Sequence, residues 1–144
     1  MTLSEFRVRE LLAALGERTP APASGAATAL TAAIAAALVE LAARFADDEA
    51  SVERARTLSS RLAELADDDS AAYIAFMADR TEETRARTIA VPEEIASCAD
   101  EIVALAEHVR IQLRSPVAAD AEAAGELARA AAAVARRLAE LNRG

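Results

Sequence analysis

The stretch SGAATALTAAIAAALV, residues 24–39, carries no charge and contains eight alanines. Alanine is the strongest helix former, and its small side chain lets neighbouring helices approach closely. We therefore predict that a helix of about Gly25–Ala46 is apolar almost all round and forms the buried centre of an all-α bundle. A membrane span needs about 20 strongly apolar residues. We prefer the bundle because half of this run is alanine and the charged residues Glu40 and Arg44 follow soon after it.

The sequence before this helix predicts a first helix and a loop. Thr2 and Glu5 match a capping box, and Gly16 suits the end of the helix that the box opens. The segment Glu17–Ala23 contains two prolines and is typical of a stiff loop. The residues at helical spacing in the first helix are Leu3, Phe6, Leu11, Leu12 and Leu15.

Three more helices are predicted after the central one, which gives a bundle of five main helices. Asp47 and Asp48 suit the start of a third helix that runs to about Ala78. Pro92 stands either in the first turn of a fourth helix or at a kink inside a longer one, and we favour the kink. The last helix is expected at about Val117–Leu141. Its predicted buried residues are Ala124, Leu127, Ala131, Val134, Leu138 and Leu141.

Length and charge limit the classes of protein that fit. A chain of 144 residues is expected to form a single domain over residues 1–144. The net charge of −8, with basic residues dispersed among acidic ones, makes nucleic acid and anionic membranes poor partners. The N-terminus has no basic segment followed by an apolar run, and the single cysteine fits a reducing compartment, so we expect a cytoplasmic protein.

Two aspartates lie on helix faces that are otherwise apolar. Asp69 stands four residues after Leu65 and four before Tyr73, in the middle of the apolar face of the third helix. Asp120 stands four before Ala124 on the face of the last helix. Inward carboxylates are costly unless paired, hydrogen-bonded or protonated, and they gather at sites that use a shifted pKa. Both are therefore candidate catalytic residues.

Structural explanations exist for each of these candidates. Asp69 is alternatively a partner of an arginine in an internal ion pair, or exposed at a bend, and Asp120 alternatively caps its helix. His108, beside the apolar face of its helix, is more often a surface residue, and Cys98 is more often a small core residue. No histidine or cysteine partner stands at metal-ligand spacing, so no metal site is predicted. Phosphate-binding glycine loops and nucleophile elbows are absent from the sequence.

Two segments resemble a known family of folate enzymes. Leu12–Leu30, LAALGERTPAPASGAATAL, resembles the start of the cyclodeaminase domain of formiminotransferase-cyclodeaminase and of methenyltetrahydrofolate cyclohydrolases. There a first helix ends before the motif T-P-G-G-G-S, which matches Thr19–Ser24. Leu62–Met77 resembles the family's L-A-D-E-D-A-x-A-F/Y segment, with Asp69 on its last aspartate and Tyr73 on its aromatic residue.

Two later segments continue the resemblance in the same order. Ala90–Ala96, AVPEEIA, resembles the family's V-P-L-E-I-A, and Ser115–Ala121, SPVAADA, resembles N-P-x-x-V-S-D-A with one residue fewer. Asp120 falls on the aspartate of that motif. The two carboxylates found by helical phase are therefore also the acidic positions of the family's motifs.

The resemblance implies a helical bundle that dimerises and binds tetrahydrofolate derivatives near the dimer interface, without a tightly bound cofactor. It implies Thr19, Ser24 and Tyr73 as substrate-binding residues. The implied reaction releases ammonia from a 5-formimino folate during ring closure, or hydrolyses a methenyl bridge. The small residues independently predict a homodimer through an Ala-rich face, because a short chain cannot cover all its flat apolar surface.

The chain also departs from the family's pattern. The three glycines of the loop motif are Ala21-Pro22-Ala23, so one backbone N–H is lost at Pro22. Ala46-Asp47-Asp48 replaces a basic segment after the second helix, and Ala119 replaces a serine. The sequence therefore fits two functions: a folate cyclodeaminase or cyclohydrolase, and a catalytically silent relative that is a structural or ligand-binding homo-oligomer.

Overall fold

A computed structural model describes residues 1–144 and shows an all-α bundle without strands. A short 3₁₀ turn, Leu3–Glu5, comes first. The five α-helices are α1 (Val8–Gly16), α2 (Ser24–Phe45), α3 (Glu49–Ala78), α4 (Glu82–Arg110) and α5 (Val117–Arg143). The prediction of a five-helix bundle is confirmed.

The N-terminal region differs from the single first helix that was predicted. Thr2 and Glu5 form the capping box, but on the 3₁₀ turn, because Phe6 and Arg7 adopt extended backbone conformations and separate the turn from α1. Leu3 is buried, and its N–H donates to Asp67 Oδ1 at 3.0 Å, which holds the turn on α3. Helix α1 contributes no fully buried residue to the core.

Helix α2 is the central helix, and it packs against α3, α4 and α5. The prediction that neighbours surround it was wrong on one face, where Ile34, Leu41 and Phe45 are exposed. Helix α2 is long and apolar enough to cross a membrane, but half of its most apolar window is buried in the bundle. Such packing is typical of the core helix of a soluble domain.

Helices α3 and α4 form one side of the bundle. Pro92 is buried inside α4, which confirms a long helix with an internal proline. Arg61 of α3 forms an ion pair with Glu94 of α4 at 2.7 Å, and Arg54 forms one with Glu101. These pairs are largely exposed, so each adds at most about 1 kcal/mol of stability.

Helix α5 confirms its predicted bounds but buries a different face. Leu127, Val134 and Leu141 are at least one-third exposed, whereas the core face is almost entirely alanine. Alanines at the contact allow α5 to lie close to α2 and α4, and this leaves the larger side chains at the edge. The buried residues are Ala121, Ala124, Gly125, Ala128, Ala131, Ala132, Ala135 and Ala139.

The ends of the helices bring distant residues together at one end of the bundle. The first turn of α2, at Gly25, lies at the same pocket as Leu138 and Asn142 near the end of α5. Helices α2 and α5 are therefore antiparallel neighbours, and this end also receives the second half of α3 and the first half of α4.

Candidate functional site

A pocket of about 250 Å³ lies at this end of the bundle. Every helix of the bundle except α1 contributes to its wall. The residues that line it are Pro20, Ala21 and Ala23 of the loop, Ser24 and Gly25 of α2, Asp69 and Tyr73 of α3, Thr88 of α4, and Leu138 and Asn142 of α5.

Asp69 is the only charged residue in the lining of this pocket. It is half-buried and makes no ion pair, which removes the internal arginine partner that sequence reasoning kept open. Burial raises the pKa of its carboxyl above the ordinary value of 3.8, and the backbone N–H of Ala26 opposes part of that rise. An unpaired carboxyl with a raised pKa in a pocket is suited to giving and taking protons.

Gly25 lets this carboxyl approach the start of α2. A Cβ built on Gly25 would collide with the carboxylate group of Asp69. The N-cap residue of α2 is Ala23, whose methyl side chain cannot accept a hydrogen bond from the free N–H groups there. Asp69 therefore takes the place of an N-cap side chain from a neighbouring helix, and the positive end of the α2 dipole favours its charged form.

Two polar residues of the pocket were not found by sequence reasoning. The Nδ2 of Asn142 donates to the carbonyl of Thr88 at 2.7 Å, and the Thr88 hydroxyl donates to the carbonyl of Arg85 at 2.7 Å. Thr88 is buried and Asn142 half-buried. Neither lies in a recognisable motif, and they are 54 residues apart in sequence.

The other predicted site residues fall into two groups. Ser24 and Tyr73 line the pocket beside Asp69, whereas Thr19 is exposed in the loop, where its hydroxyl donates to the carbonyl of Ala21 at 3.3 Å. Asp120 lies in the first turn of α5. At a rise of 1.5 Å per residue it is about 27 Å along the helix axis from Leu138, so one chain does not bring Asp120 to the pocket of Asp69.

The remaining candidates have structural surroundings. The Nε2 of His108 lies 3.2 Å from Asp48 at the start of α3. Burial raises the pKa of the Cys98 thiol, and Glu94 and Glu101 nearby act in the same direction. A thiol with a raised pKa is a poor nucleophile at neutral pH. No group of three or more histidine, cysteine, aspartate or glutamate side chains is arranged to hold a metal ion.

Comparison with known protein families gives a match over residues 7–144, to the family described as formiminotransferase-cyclodeaminase. This range includes all five helices and every residue of the pocket. The chain belongs to the formiminotransferase-cyclodeaminase family. A search of curated proteins returned no match.

Membership of the formiminotransferase-cyclodeaminase family gives the pocket a chemical context. The family is folate-related, and the part of the chain that matches it includes both Asp69 and Asp120. Of these two, Asp69 is the one whose surroundings combine a cavity, burial and the absence of a counter-ion. The pocket around Asp69 is therefore the candidate functional site of this family member.

Proposed function

We propose that the protein binds a tetrahydrofolate derivative in the Asp69 pocket and acts on its one-carbon unit, as a cyclodeaminase or a cyclohydrolase. The observation that carries the proposal is the unpaired, half-buried carboxyl of Asp69 in the pocket of a chain from this family. Ser24 and Tyr73 border the same space and are proposed to contact the ligand. Thr19 is proposed to contact the part of the ligand that extends over the loop.

Both reactions need a group that exchanges a proton with a folate nitrogen or with water. In ring closure, N10 attacks the carbon of the protonated formimino group and loses its proton, the departing nitrogen gains one proton, and ammonia leaves as the methenyl cation forms. In hydrolysis, water loses a proton as it adds to the methenyl carbon, and a folate nitrogen gains one as the bridge opens. A carboxyl with a raised pKa performs either transfer.

The size of the pocket supports a proposal about the part of the ligand that enters it. Sites for drug-sized ligands occupy about 300–1,000 Å³. At about 250 Å³, this pocket is smaller than such sites. We therefore propose that the pterin end enters the pocket and that the remainder crosses the exposed loop around Thr19.

Calorimetric titration and turnover assays test this proposal together. We expect heat with at least one of tetrahydrofolate, its 5-formyl form and its 5,10-methenyl form. An active enzyme releases ammonia from the 5-formimino form or removes the near-ultraviolet absorbance of the methenyl form. Absence of heat with all three folates would contradict the proposal.

A second candidate, a catalytically silent relative, is favoured by the position of Asp69 at the start of α2. There the carboxylate substitutes for the missing N-cap side chain, which is a structural role that needs no ligand. In that case the protein is a structural or ligand-binding homo-oligomer. Folate binding without turnover of either substrate would support this second candidate.

We also propose that the protein is a cytoplasmic homodimer whose subunits meet through α2. The exposed stripe of α2 contains Ile34, at 59% exposure, and Phe45, at 64%. Its other members are Ala27, Leu30, Leu38 and Leu41. This stripe has no charge between residues 24 and 39, and Glu40 and Arg44 beside its far end pair with each other at 2.7 Å. Two copies of it therefore meet without burying an unpaired ion.

The order of residues along this stripe fits a two-fold axis. Ile34 lies at the midpoint of the 22-residue helix, and the stripe continues at equal spacing on both sides of it. An antiparallel pairing about Ile34 places Leu30 against Leu38 and Ala27 against Leu41 of the second copy. Helix α2 is about 33 Å long and about 10 Å wide. Because a stable interface needs about 800 Å² per subunit, the exposed face of α1, with Val8 and Leu12, is proposed to complete it.

A charge placed in this stripe tests the dimer. Ile34→Glu is expected to convert the dimer into a monomer by light scattering, because a two-fold axis would bring two carboxylates together. Ile111→Glu is the control, since Ile111 is equally apolar and 67% exposed but lies at the end of α4. A wild-type monomer at micromolar concentration, or equal masses for both variants and the wild type, would contradict the proposed interface.

A further inference from the structure

Pro92 leaves one carbonyl of α4 without its usual helical partner. In an α-helix the carbonyl of a residue accepts from the N–H four positions later, and proline has no N–H. The carbonyl that loses its partner through Pro92 is that of Thr88, which is buried beside the pocket. Because an unsatisfied buried carbonyl is costly, another donor is required there.

Asn142 supplies that donor from the last turn of α5. Its Nδ2 lies 2.7 Å from the carbonyl oxygen of Thr88. A carbonyl oxygen only accepts hydrogen bonds, so the nitrogen of the amide must face Thr88 and the orientation of the amide is fixed. The backbone defect at Pro92 therefore determines which way the side chain of Asn142 points.

The oxygen of the same amide remains available. Oδ1 of Asn142 accepts no hydrogen bond within the chain, and it is not fully buried. Asn142 and Asp69 line the same pocket. This end of the bundle therefore offers a ligand one amide oxygen in a set orientation and one carboxyl in the same small space.

We propose that Asn142 is a specificity-determining residue of the pocket, whose Oδ1 accepts a hydrogen bond from an exocyclic amino group on the ring of the ligand. The inference rests on the proposed function for the choice of a pterin-like ring. It predicts selection for an exocyclic amino group, and it assigns Pro92 and Thr88 the role of holding the amide in position.

Two small ring compounds test the selection. Pterin carries an amino donor where lumazine carries an oxygen acceptor, and the two rings have nearly the same size. We expect the wild type to bind pterin at least about fivefold more tightly than lumazine, since a wrongly paired polar group in a pocket costs about 1 kcal/mol or more. Asn142→Leu is expected to bring the ratio close to one. The ratio of two affinities for one variant does not depend on how much of that variant is folded.

A cycle with Pro92→Ala separates selection from stability. The Pro92→Ala substitution restores a backbone N–H for the Thr88 carbonyl. Asn142→Leu should therefore lower Tm by about 3 °C in the wild type but by less than about 1 °C in the Pro92→Ala background. The pterin preference of Pro92→Ala alone should be weaker than that of the wild type, because the Thr88 carbonyl no longer holds the amide in one orientation. Asn142→Leu should bring the ratio close to one in both backgrounds. Preference that persists in Asn142→Leu, no preference in the wild type, or no pterin binding would overturn the inference. Pterin selection without binding of any reduced folate would overturn only the proposed function.

Discussion

Asp48 and Asp69 each place a carboxylate at the start of a helix, and their surroundings differ. Asp48 caps α3, where it accepts from the N–H of Ser51 at 3.1 Å, from the Ser51 hydroxyl at 2.6 Å and from Gln112 at 3.1 Å. These hydrogen bonds lower the pKa of Asp48 to about 2. Asp69 faces α2, where the N–H of Ala26 is the one hydrogen-bond donor that lowers its pKa, and burial raises that pKa.

The comparison separates a scaffold carboxylate from a candidate reactive one. A carboxylate with its acceptor positions filled stays ionised and stabilises the fold. A carboxyl that is buried with few donors exchanges its proton nearer to neutral pH, and it has lone pairs left for a ligand. Position at a helix N-terminus therefore does not decide the direction of the pKa shift of these residues. The hydrogen-bond donors around Asp48 lower its pKa, and the burial of Asp69 raises its pKa.

The largest expected difference is in turnover, and Asp69→Asn measures it. Turnover of the folate substrate should fall at least about tenfold, because the amide cannot exchange the proton. The melting temperature should be kept or raised, since the amide still accepts from Ala26 and no charge is buried. Asp68→Asn is the control, because Asp68 is adjacent, lies 3.5 Å from Arg61 and is absent from the pocket lining. A mutant that melts well below the wild type but binds folate normally would assign Asp69 to the scaffold.

The opposite result is expected at Asp48. Asp48→Ala removes the cap of α3 and its contacts with Gln112 and His108, and it should lower the free energy of unfolding by about 2 kcal/mol. Turnover per folded molecule should not change, because Asp48 is not among the residues that line the pocket. Urea unfolding and an assay at a temperature below the melting transition measure both quantities. Loss of turnover in a folded Asp48→Ala protein would show that the two sites are coupled.

A smaller effect on stability is expected at Gly25. The Cβ of Gly25→Ala collides with the carboxylate of Asp69, but this short side chain can turn away from α2. We expect a loss of about 1 kcal/mol of stability, at the low end for overpacking, and a fall in turnover as the carboxyl leaves its position. Gly125→Ala is the matched control, since the nearest atom to its Cβ would be 3.6 Å away. Unchanged turnover in Gly25→Ala would show that activity does not depend on the position of the Asp69 carboxyl.

The helices were predictable from sequence because local signals mark them. Asp48 at the start of α3, Pro92 inside α4 and the alanine-rich run of α2 each act within a few residues of where they stand. Helical phase also singled out Asp69, because one acidic residue interrupts a regular apolar face.

Features that depend on several helices were not predictable in the same way. The last helix shows this, since Leu127 and Val134 were expected to be buried but alanines occupy its contact face. The choice between large and small residues depends on how closely two helices approach, which one sequence does not state. The position of Pro92 predicts that one carbonyl of α4 lacks its helical hydrogen-bond donor, but no local pattern identifies Asn142 as the residue that replaces this donor.

Carbon-13 NMR titration of the aspartate carboxyls tests the central claim most directly. We expect the Asp48 signal to titrate at about 2 and the Asp69 signal above 3.8. The lowered pKa of Asp48 gives a stabilisation that is present above about 3.8 and lost as the pH falls towards 2. The raised pKa of Asp69 gives a stabilisation that is present below a pH of about 3.8 and is lost as the pH rises through the pKa of Asp69 in the folded protein. Addition of the folate that binds should move the Asp69 titration and leave that of Asp48 in place. Titration of Asp69 at or below 3.8, or equal shifts of both residues with folate, would contradict the account.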